Sequence, residues 1–246
     1  MTSLSVNLNK IALLRNARDI GIPSVTDAAC TAIKAGAYGI TVHPRPDERH
    51  IKYSDVYELK KLLKDHKNIE FNIEGNPFTG RYMQIMEDIR PDQATLVPDS
   101  PDANTSDHGW NVDVYKDKLS PVIKHLQQMG IRVSMFMDPC PQQVIKASGL
   151  QPDRIELYTE PYASAFRTET GLNEMVDKYI NSAQTAAAEN ISLNAGHDLN
   201  LDNLGFFCRR VPGIMEVSIG HALTADALYM GLEKTVMKYI AILKKT

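Results

Sequence analysis

The chain has 246 residues, with 27 Lys and Arg against 30 Asp and Glu, and a formal net charge of −3 at pH 7. Hydrophobic residues make up 43% and charged residues 23%, which excludes a disordered chain and argues against the broad basic surface that nucleic acid or an anionic membrane requires. A chain near this length suits two small domains or one α/β barrel, and a single core of this size buries roughly 70–75% of the unfolded surface without a covalent staple.

Short apolar or β-branched runs alternate with longer amphipathic segments along the whole length. Leu4–Asn7 reads as the first strand and Ser24–Ala35 as the first helix, opened by a capping-box-like Ser24-Val25-Thr26-Asp27. Strand Gly39–His43 precedes helix Ser54–Asp65, and strand Ile69–Ile73 precedes helix Phe78–Ile89. Strand Ala94–Val97 leads to helix Tyr115–Met129, and strand Arg132–Met137 to helix Gln142–Ala147. Strand Arg154–Leu157 leads to helix Leu172–Glu189, Ile191–Asn194 to Leu201–Arg209, and Met215–Ile219 to Thr224–Lys244. Gly36 and Gly130 stand where a left-handed C-cap is wanted.

Eight strands, each followed by a helix, predict an α/β fold: a single (β/α)8 TIM barrel spanning 1–246. The competitor is a doubly wound open sheet, weakened because no Gly-x-Gly-x-x-Gly follows the first strand. Two long connections stand out. Pro98–Val112, rich in Asp, Pro, Ser and Asn, suits a mobile lid, and Tyr158–Thr170 is the other. The scattered, odd-numbered cysteines Cys30, Cys140 and Cys208 read as buried thiols in a reducing compartment. With no signal-peptide pattern and no apolar run of about 18 residues or more, a cytoplasmic protein without a membrane span is expected.

Barrel chemistry sits at the C-terminal ends of the strands. Of seven histidines, four (His43, His50, His197 and His221) fall at or just past such ends. Gly196-His197-x-Leu199-x-x-Asp202-x-Leu204 recurs as Gly220-His221-x-Leu223-x-x-Asp226-x-Leu228, which fits two phosphate-binding turns after strands seven and eight, or two βα turns with merely similar packing. Ile69-Glu70-Phe71-Asn72-Ile73-Glu74 alternates with period two, so Glu70, Asn72 and Glu74 point into the barrel and Ile69, Phe71 and Ile73 point out. Glu70, on the strand beside His43, is the expected acid–base group; a salt bridge to an inward Lys or Arg is the structural alternative. Arg15 and Arg18, and Arg45 and Arg49 in a loop stiffened by Pro44 and Pro46, supply separate cationic points for phosphate-bearing substrates. No His-x-His, His-Glu-x-x-His or Cys-x-x-Cys motif is present, yet Glu70, Glu156 and two histidines leave a metal-dependent hydrolase open, beside a non-catalytic phosphosugar binder.

The segments Asn7-Leu-Asn-Lys-Ile-Ala-Leu-Leu-Arg15-Asn-Ala-Arg18, Gly-Ile-Thr-Val-His43-Pro-Arg45-Pro-Asp-Glu-Arg-His50-Ile, Asn-Ile-Glu70, Ile-Glu156-Leu-Tyr-Thr, Asn-Ala-Gly196-His197-Asp-Leu and Ser-Ile-Gly220-His221-Ala together resemble the pyridoxine 5′-phosphate synthase family of vitamin B6 biosynthesis, across nearly the whole chain. The resemblance implies a (β/α)8 barrel with extra helices, a homo-octamer and a transferase needing no metal or organic cofactor. It implies condensation of 1-deoxy-D-xylulose 5-phosphate with 3-amino-2-oxopropyl phosphate to pyridoxine 5′-phosphate, phosphate and water. By the same resemblance His43 and Glu70 are proton acceptors, His197 the proton donor and Glu156 a transition-state-stabilising carboxylate. Asn7, Arg18 (reaching a neighbouring subunit's site), Asp198, Gly220 and His221 would bind the amino-ketone phosphate. Arg45, His50 and a lid-borne Thr105 would hold the deoxyxylulose phosphate. Asn9 and Lys10 replace the family's Asp-His pair at further contacts to that phosphate, and Asp198 replaces a glycine of some members.

Overall fold

The computed structural model describes residues 1–100 and 105–246. Its eight strands are β1 (Ser3–Asn7), β2 (Gly39–Val42), β3 (Glu70–Gly75), β4 (Gln93–Leu96), β5 (Arg132–Met137), β6 (Arg154–Tyr158), β7 (Ser192–Gly196) and β8 (Ile214–Ile219). All pair in parallel in chain order, and β8 closes on β1, so the expected barrel is present. The helices among the described residues are α1 (Asn9–Asn16), α2 (Val25–Lys34), α3 (Tyr53–Leu63), α4 (Tyr82–Ile89), α5 (Val112–Gln128), α6 (Pro141–Ser148), α7 (Glu160–Thr168), α8 (Leu172–Ala188), α9 (Leu204–Arg210), α10 (His221–Met230) and α11 (Leu232–Leu243). The first, sixth and eighth βα units each carry two helices, which accounts for three helices beyond one per strand.

Local signals explain several boundaries. Ser24 caps α2 by accepting from the Asp27 backbone N–H at 3.1 Å, as its motif predicts. Gly36 and Gly130 sit at φ +97° and +78°, where a side chain would be strained. Gly231, at φ +79°, divides the expected single last helix into α10 and α11. The connection after β6 is not irregular: it holds α7, with Pro161 in its first turn. The expected lid, Pro98–Val112, includes 101–104, which lie outside the described residues. The three cysteines are half-buried rather than fully buried, and unpaired.

Period-two alternation sorts each strand's residues. Ile40, Val42, Phe71, Ile73, Ala94, Leu96, Val133 and Met135 face outward into the main core, packed under the helices. Inside the barrel a polar middle layer takes their place. Ser5 Oγ and Thr41 Oγ1 are 2.7 Å apart, Asn72 donates to Thr41 Oγ1 at 3.3 Å, and Thr95 donates to Asn72 at 3.0 Å. Barrel interiors are usually filled by branched apolar side chains, so this lumen is set apart by hydrogen-bonded polar groups.

At the N-terminal end of the lumen lies a charged layer. Glu70 pairs with Arg132, whose Nε also donates to Gln93 at 2.9 Å. Glu216 pairs with Arg154 at 3.1 Å, and Arg154 donates to Asn194 at the same distance. Burial, then the neighbouring Glu70, pushes the Glu216 carboxyl up to about 8. Its raised pKa means that its ionisation adds no cost at pH values where the carboxyl is protonated in both folded and unfolded chains. The cost grows as pH rises from the unfolded value of 4.5 through about 8. Urea unfolding between pH 5 and 8 should therefore show stability falling with pH, by at most about 1.4 kcal/mol per pH unit for one proton, and Glu216→Gln should flatten that slope. An identical slope in the variant contradicts the assignment.

Candidate functional site

A cavity of about 370 Å³ opens at the C-terminal end of the barrel, as the fold dictates. It is lined by Asn7, Asn9 and Lys10 after β1, His43, Arg45 and His50 after β2, Glu74 from β3, Thr105 and Ser106 after β4, Glu156, Tyr158 and Glu160 from β6 and beyond, His197 and Asp198 after β7, and Ser218, Gly220 and His221 at β8. All four histidines singled out from the sequence meet here.

Glu70 does not. It is the first residue of β3, in register with Gly39 at the bottom of β2, and its side chain is bound to Arg132 at the far end of the lumen. The tripeptide Asn-Ile-Glu occurs twice, at 68–70 and 72–74, and only the second copy reaches the cavity. Both glutamates share the inward face, as the alternation predicts, but four residues of strand separate them by about 13 Å. The salt-bridge alternative for Glu70 is the one the structure shows, and Glu74 takes its place at the site.

One further expectation changes. Arg15 is not a phosphate grip: it forms an ion pair with Asp55 and donates to His50 O at 3.2 Å. Asn16 donates to the carbonyls of Arg49 and His50 at 3.0 and 2.8 Å, so α1 holds the loop that carries Arg45 and His50. Arg18 is exposed beyond α1 and does not line its own chain's cavity.

Asn7, the last residue of β1, and Asn9, the first of α1, build one corner of the cavity. Asn7 Oδ1 accepts from the Asn9 N–H at 3.0 Å, Asn9 Oδ1 accepts from the His43 N–H at 2.9 Å, and Asn7 Nδ2 donates to Glu74 Oε2 at 3.3 Å. His43 Nδ1 lies 3.8 Å from that same Glu74 oxygen. Burial, then repulsion by the Arg45 charge, holds His43 well below the ordinary imidazole range, so the ring is neutral at neutral pH. Burial and the nearby Asp99 carboxylate push Glu74 up to about 7, against the favourable effects of Arg45 and Asn7.

Glu156 is buried beneath Gly196. A Cβ on Gly196 would stand 2.2 Å from Glu156 Oε1, so only glycine leaves room for the carboxyl. Burial, with Glu74 and Glu216 as carboxyl neighbours, raises Glu156 well above the ordinary range and keeps it protonated. The next residue, His197, has φ +90°, a conformation that strains any side-chain-bearing residue and throws the ring into the cavity. There it sits 5.4 Å from the ring centroids of both Phe136 and Tyr158. Burial lowers its pKa, while Asp198 and Asp99 oppose that shift.

Groups with the chemistry to hold an anion also line the cavity. His50 Nδ1 accepts from the Ile51 N–H at 2.9 Å, which leaves Nε2 to carry the proton as a donor. Burial and the charges of Arg45 and Lys10 lower His50 to about 4, so it acts as a neutral donor. Gly220 caps α10, whose first residue His221 lines the cavity, so this end presents helix N–H groups to an anion. A Cβ on Gly220 would meet Asn7 Oδ1 at 3.0 Å. The sequence echo is only partial, because no helix follows His197 directly: α9 begins at Leu204. Among the described residues no group of three or more His, Cys, Asp or Glu side chains is placed to hold a metal ion.

Sequence reasoning missed Glu74, Ser106, Tyr158, Glu160 and Ser218. Glu74 was within reach, since the alternation puts it on the lumen face and Gly75 marks the strand end. Ser218, one of the interior-facing set on β8, had the same signal.

Similar folds include thiamine phosphate pyrophosphorylase from Pyrococcus furiosus (TM-score 0.59, 12% identity, covering 99% of this chain and 96% of that one). Another is 3-keto-L-gulonate-6-phosphate decarboxylase from Vibrio cholerae (TM-score 0.66, 11% identity, 99% and 98% covered). At such identities they show the barrel fold alone. Among relatives in sequence, pyridoxine 5′-phosphate synthase of Porphyromonas gingivalis is 51% identical over 97% of this chain and 98% of its own length. That of Cytophaga hutchinsonii is 48% identical over the full length of both. Residues 4–245 match the family described as pyridoxal phosphate biosynthesis protein PdxJ, and with relatives this similar over their whole length the chain belongs to that family.

Proposed function

We propose that the chain is a pyridoxine 5′-phosphate synthase, a cytoplasmic transferase that condenses 1-deoxy-D-xylulose 5-phosphate with 3-amino-2-oxopropyl phosphate by serial acid–base steps. One observation carries this reading beyond family membership. Glu74, His43, His197 and Glu156 converge on a single cavity that is also lined by Arg45 and His50 after β2 and by His221 at the start of α10. Two anion-holding edges around one acid–base centre suit two small phosphorylated substrates.

In this reading Arg45, His50 and Thr105 hold the deoxyxylulose phosphate, and Lys10 adds a compact cation in place of an imidazole. Asp198, Gly220 and His221 hold the amino-ketone phosphate near the α10 N-terminus. The amine attacks the ketone carbon, a carbinolamine forms, and water leaves as the imine forms. Each stage moves a proton at carbon or oxygen. Glu74, titrating near neutrality, and neutral His43 accept protons, and His197 returns one. Glu156, kept neutral, donates a hydrogen bond to oxygen that is gaining negative charge. Asn7 and Asn9 act first as scaffolding for His43 and Glu74, besides any contact with substrate.

Self-association belongs to the proposal. The helix α1 exposes Leu14 and packs on α10, which exposes Leu228 (71%) and Tyr229 (92%), and Ile20 and Ile22 in the segment after α1 are exposed as well. A second copy covering this patch would bring exposed Arg18 toward a neighbouring cavity, and repetition of such contacts would build an octamer.

Purified protein given both substrates, with no metal added, should form pyridoxine 5′-phosphate, detected by its absorbance; folded protein that forms none contradicts the proposal. Glu74→Gln and His43→Ala should each lower turnover by about 10²–10⁴-fold, whereas Glu70→Gln, at the far end of the lumen, should leave turnover near that of the unmodified enzyme. The rate should also rise with pH through about 7 as Glu74 loses its proton, a dependence that Glu74→Gln abolishes. Light scattering should give the mass of an octamer, and Tyr229→Asp should shift it toward smaller species.

A further inference from the structure

Asp99 lies just past β4, behind the cavity wall rather than on it, and is 5% exposed. Its Oδ2 accepts from an Arg45 Nη and from Ser106 Oγ at 2.7 Å, and the same oxygen stands 4.0 Å from His43 Nε2. Its Oδ1 is buried and accepts no hydrogen bond among the described residues. Beside it is a water-sized cavity of about 10 Å³ shared with His43 and Arg45. The backbone is pinned separately, through Asn76 Nδ2 donating to Asp99 O at 3.0 Å. The carboxylate is therefore held by a fixed backbone but through one oxygen only.

Arg45 and Ser106 face two ways. Both touch Asp99, and both line the main cavity where the proposed function seats a substrate phosphate. Arg45 is 4% exposed, so its charge is not quenched by bulk water and interacts strongly with any anion beside it. An arriving phosphate meets a guanidinium whose field Asp99 already partly cancels. We infer that Asp99 is a built-in counter-anion that competes with the substrate's phosphate for Arg45, and so sets how tightly this subsite holds phosphate. The inference rests on the proposed function for the class of ligand. As phosphate draws the Arg45 charge toward itself, the Asp99 charge acts more fully on His43 and on Glu74. Asp99 is thus a positioning residue that works through Arg45.

Removing the Asp99 charge has opposite signs in the two accounts. If Asp99 only braces Arg45, its loss weakens phosphate binding. If it competes, its loss strengthens binding. Calorimetric titration of inorganic phosphate into the folded enzyme should show Asp99→Asn binding at least about tenfold more tightly than the unmodified protein, a modest value for one close buried charge pair. Its phosphate-induced rise in Tm should be larger as well.

A second readout is the pH–rate profile. Glu74 is faced by Asn7 from β1, His43 from β2, Arg45 and Asp99 from the loops, Glu156 from β6 and Tyr82 from α4. Of these, Asp99 is the neighbour whose charge most disfavours the Glu74 carboxylate. The Glu74 limb should therefore move to lower pH in Asp99→Asn, which a purely structural role would not produce. Asp99→Ser is read in the same way and leaves no amide to satisfy. Unchanged or weaker phosphate binding in a folded variant overturns the inference, as does failure of both variants to fold even in phosphate, since phosphate should replace the missing anion. If the unmodified enzyme makes product while neither variant binds phosphate more tightly, the inference alone fails. If the unmodified enzyme neither makes product nor binds phosphate, the proposed function fails with it.

Discussion

A carboxylate sealed inside a parallel barrel must find a cation, a donor or a proton, and its height along the strand decides which is available. The charged side chains of this lumen follow that constraint. At the bottom, Glu70 finds Arg132 and Glu216 finds Arg154, although that arginine offsets the burial of Glu216 only in part and its carboxyl is still raised to about 8. At the top, Glu74 finds the Asn7 amide and a neutral imidazole, neither of which offsets burial fully, and Glu156 lies among other carboxyls. Both are pushed toward the protonated form. One fold thus yields a structural layer and a reactive layer from the same residue type, separated by a middle layer of hydroxyls and amides.

The reactive layer depends on geometry that glycine and asparagine provide. Gly196 leaves the space that Glu156 occupies, and the strained backbone of His197 directly after it turns the strand end into a projecting imidazole. Asn7 and Asn9 link β1, β2 and β3 through their side-chain amides, so the positions of His43 and Glu74 are set together. The loop after β2 that carries Arg45 and His50 is held from outside by Arg15 and Asn16 on α1. The surface helix that exposes Leu14 is therefore mechanically continuous with His50.

Much of this was legible in the chain itself, because periodicity fixes faces. The strands lie where the alternating runs put them, and the residues expected inside the barrel are inside it. Height was not legible. Asn-Ile-Glu occurs at 68–70 and again at 72–74, both on the same face, and only the register against β2 and β4 shows that the second copy stands at the strand's upper end. Arg15 looked like a free cation because its partner, Asp55, is forty positions away. The helix α1 escaped notice because it is short and lacks a strong apolar stripe, whereas α7 buries Tyr162, Ala163 and Ala165 but is a single short run inside a long connection.

The central claim is that burial and the neighbours each glutamate meets in the lumen set its proton affinity, and that Glu74 is thereby poised near neutrality. Carbon-13 NMR of the enzyme labelled at the glutamate carboxyl carbons tests this without reference to turnover. The account predicts a resonance that titrates near pH 7 and disappears in Glu74→Gln but persists in Glu70→Gln. A Glu74 resonance that titrates at the ordinary value near 4.5 would contradict it.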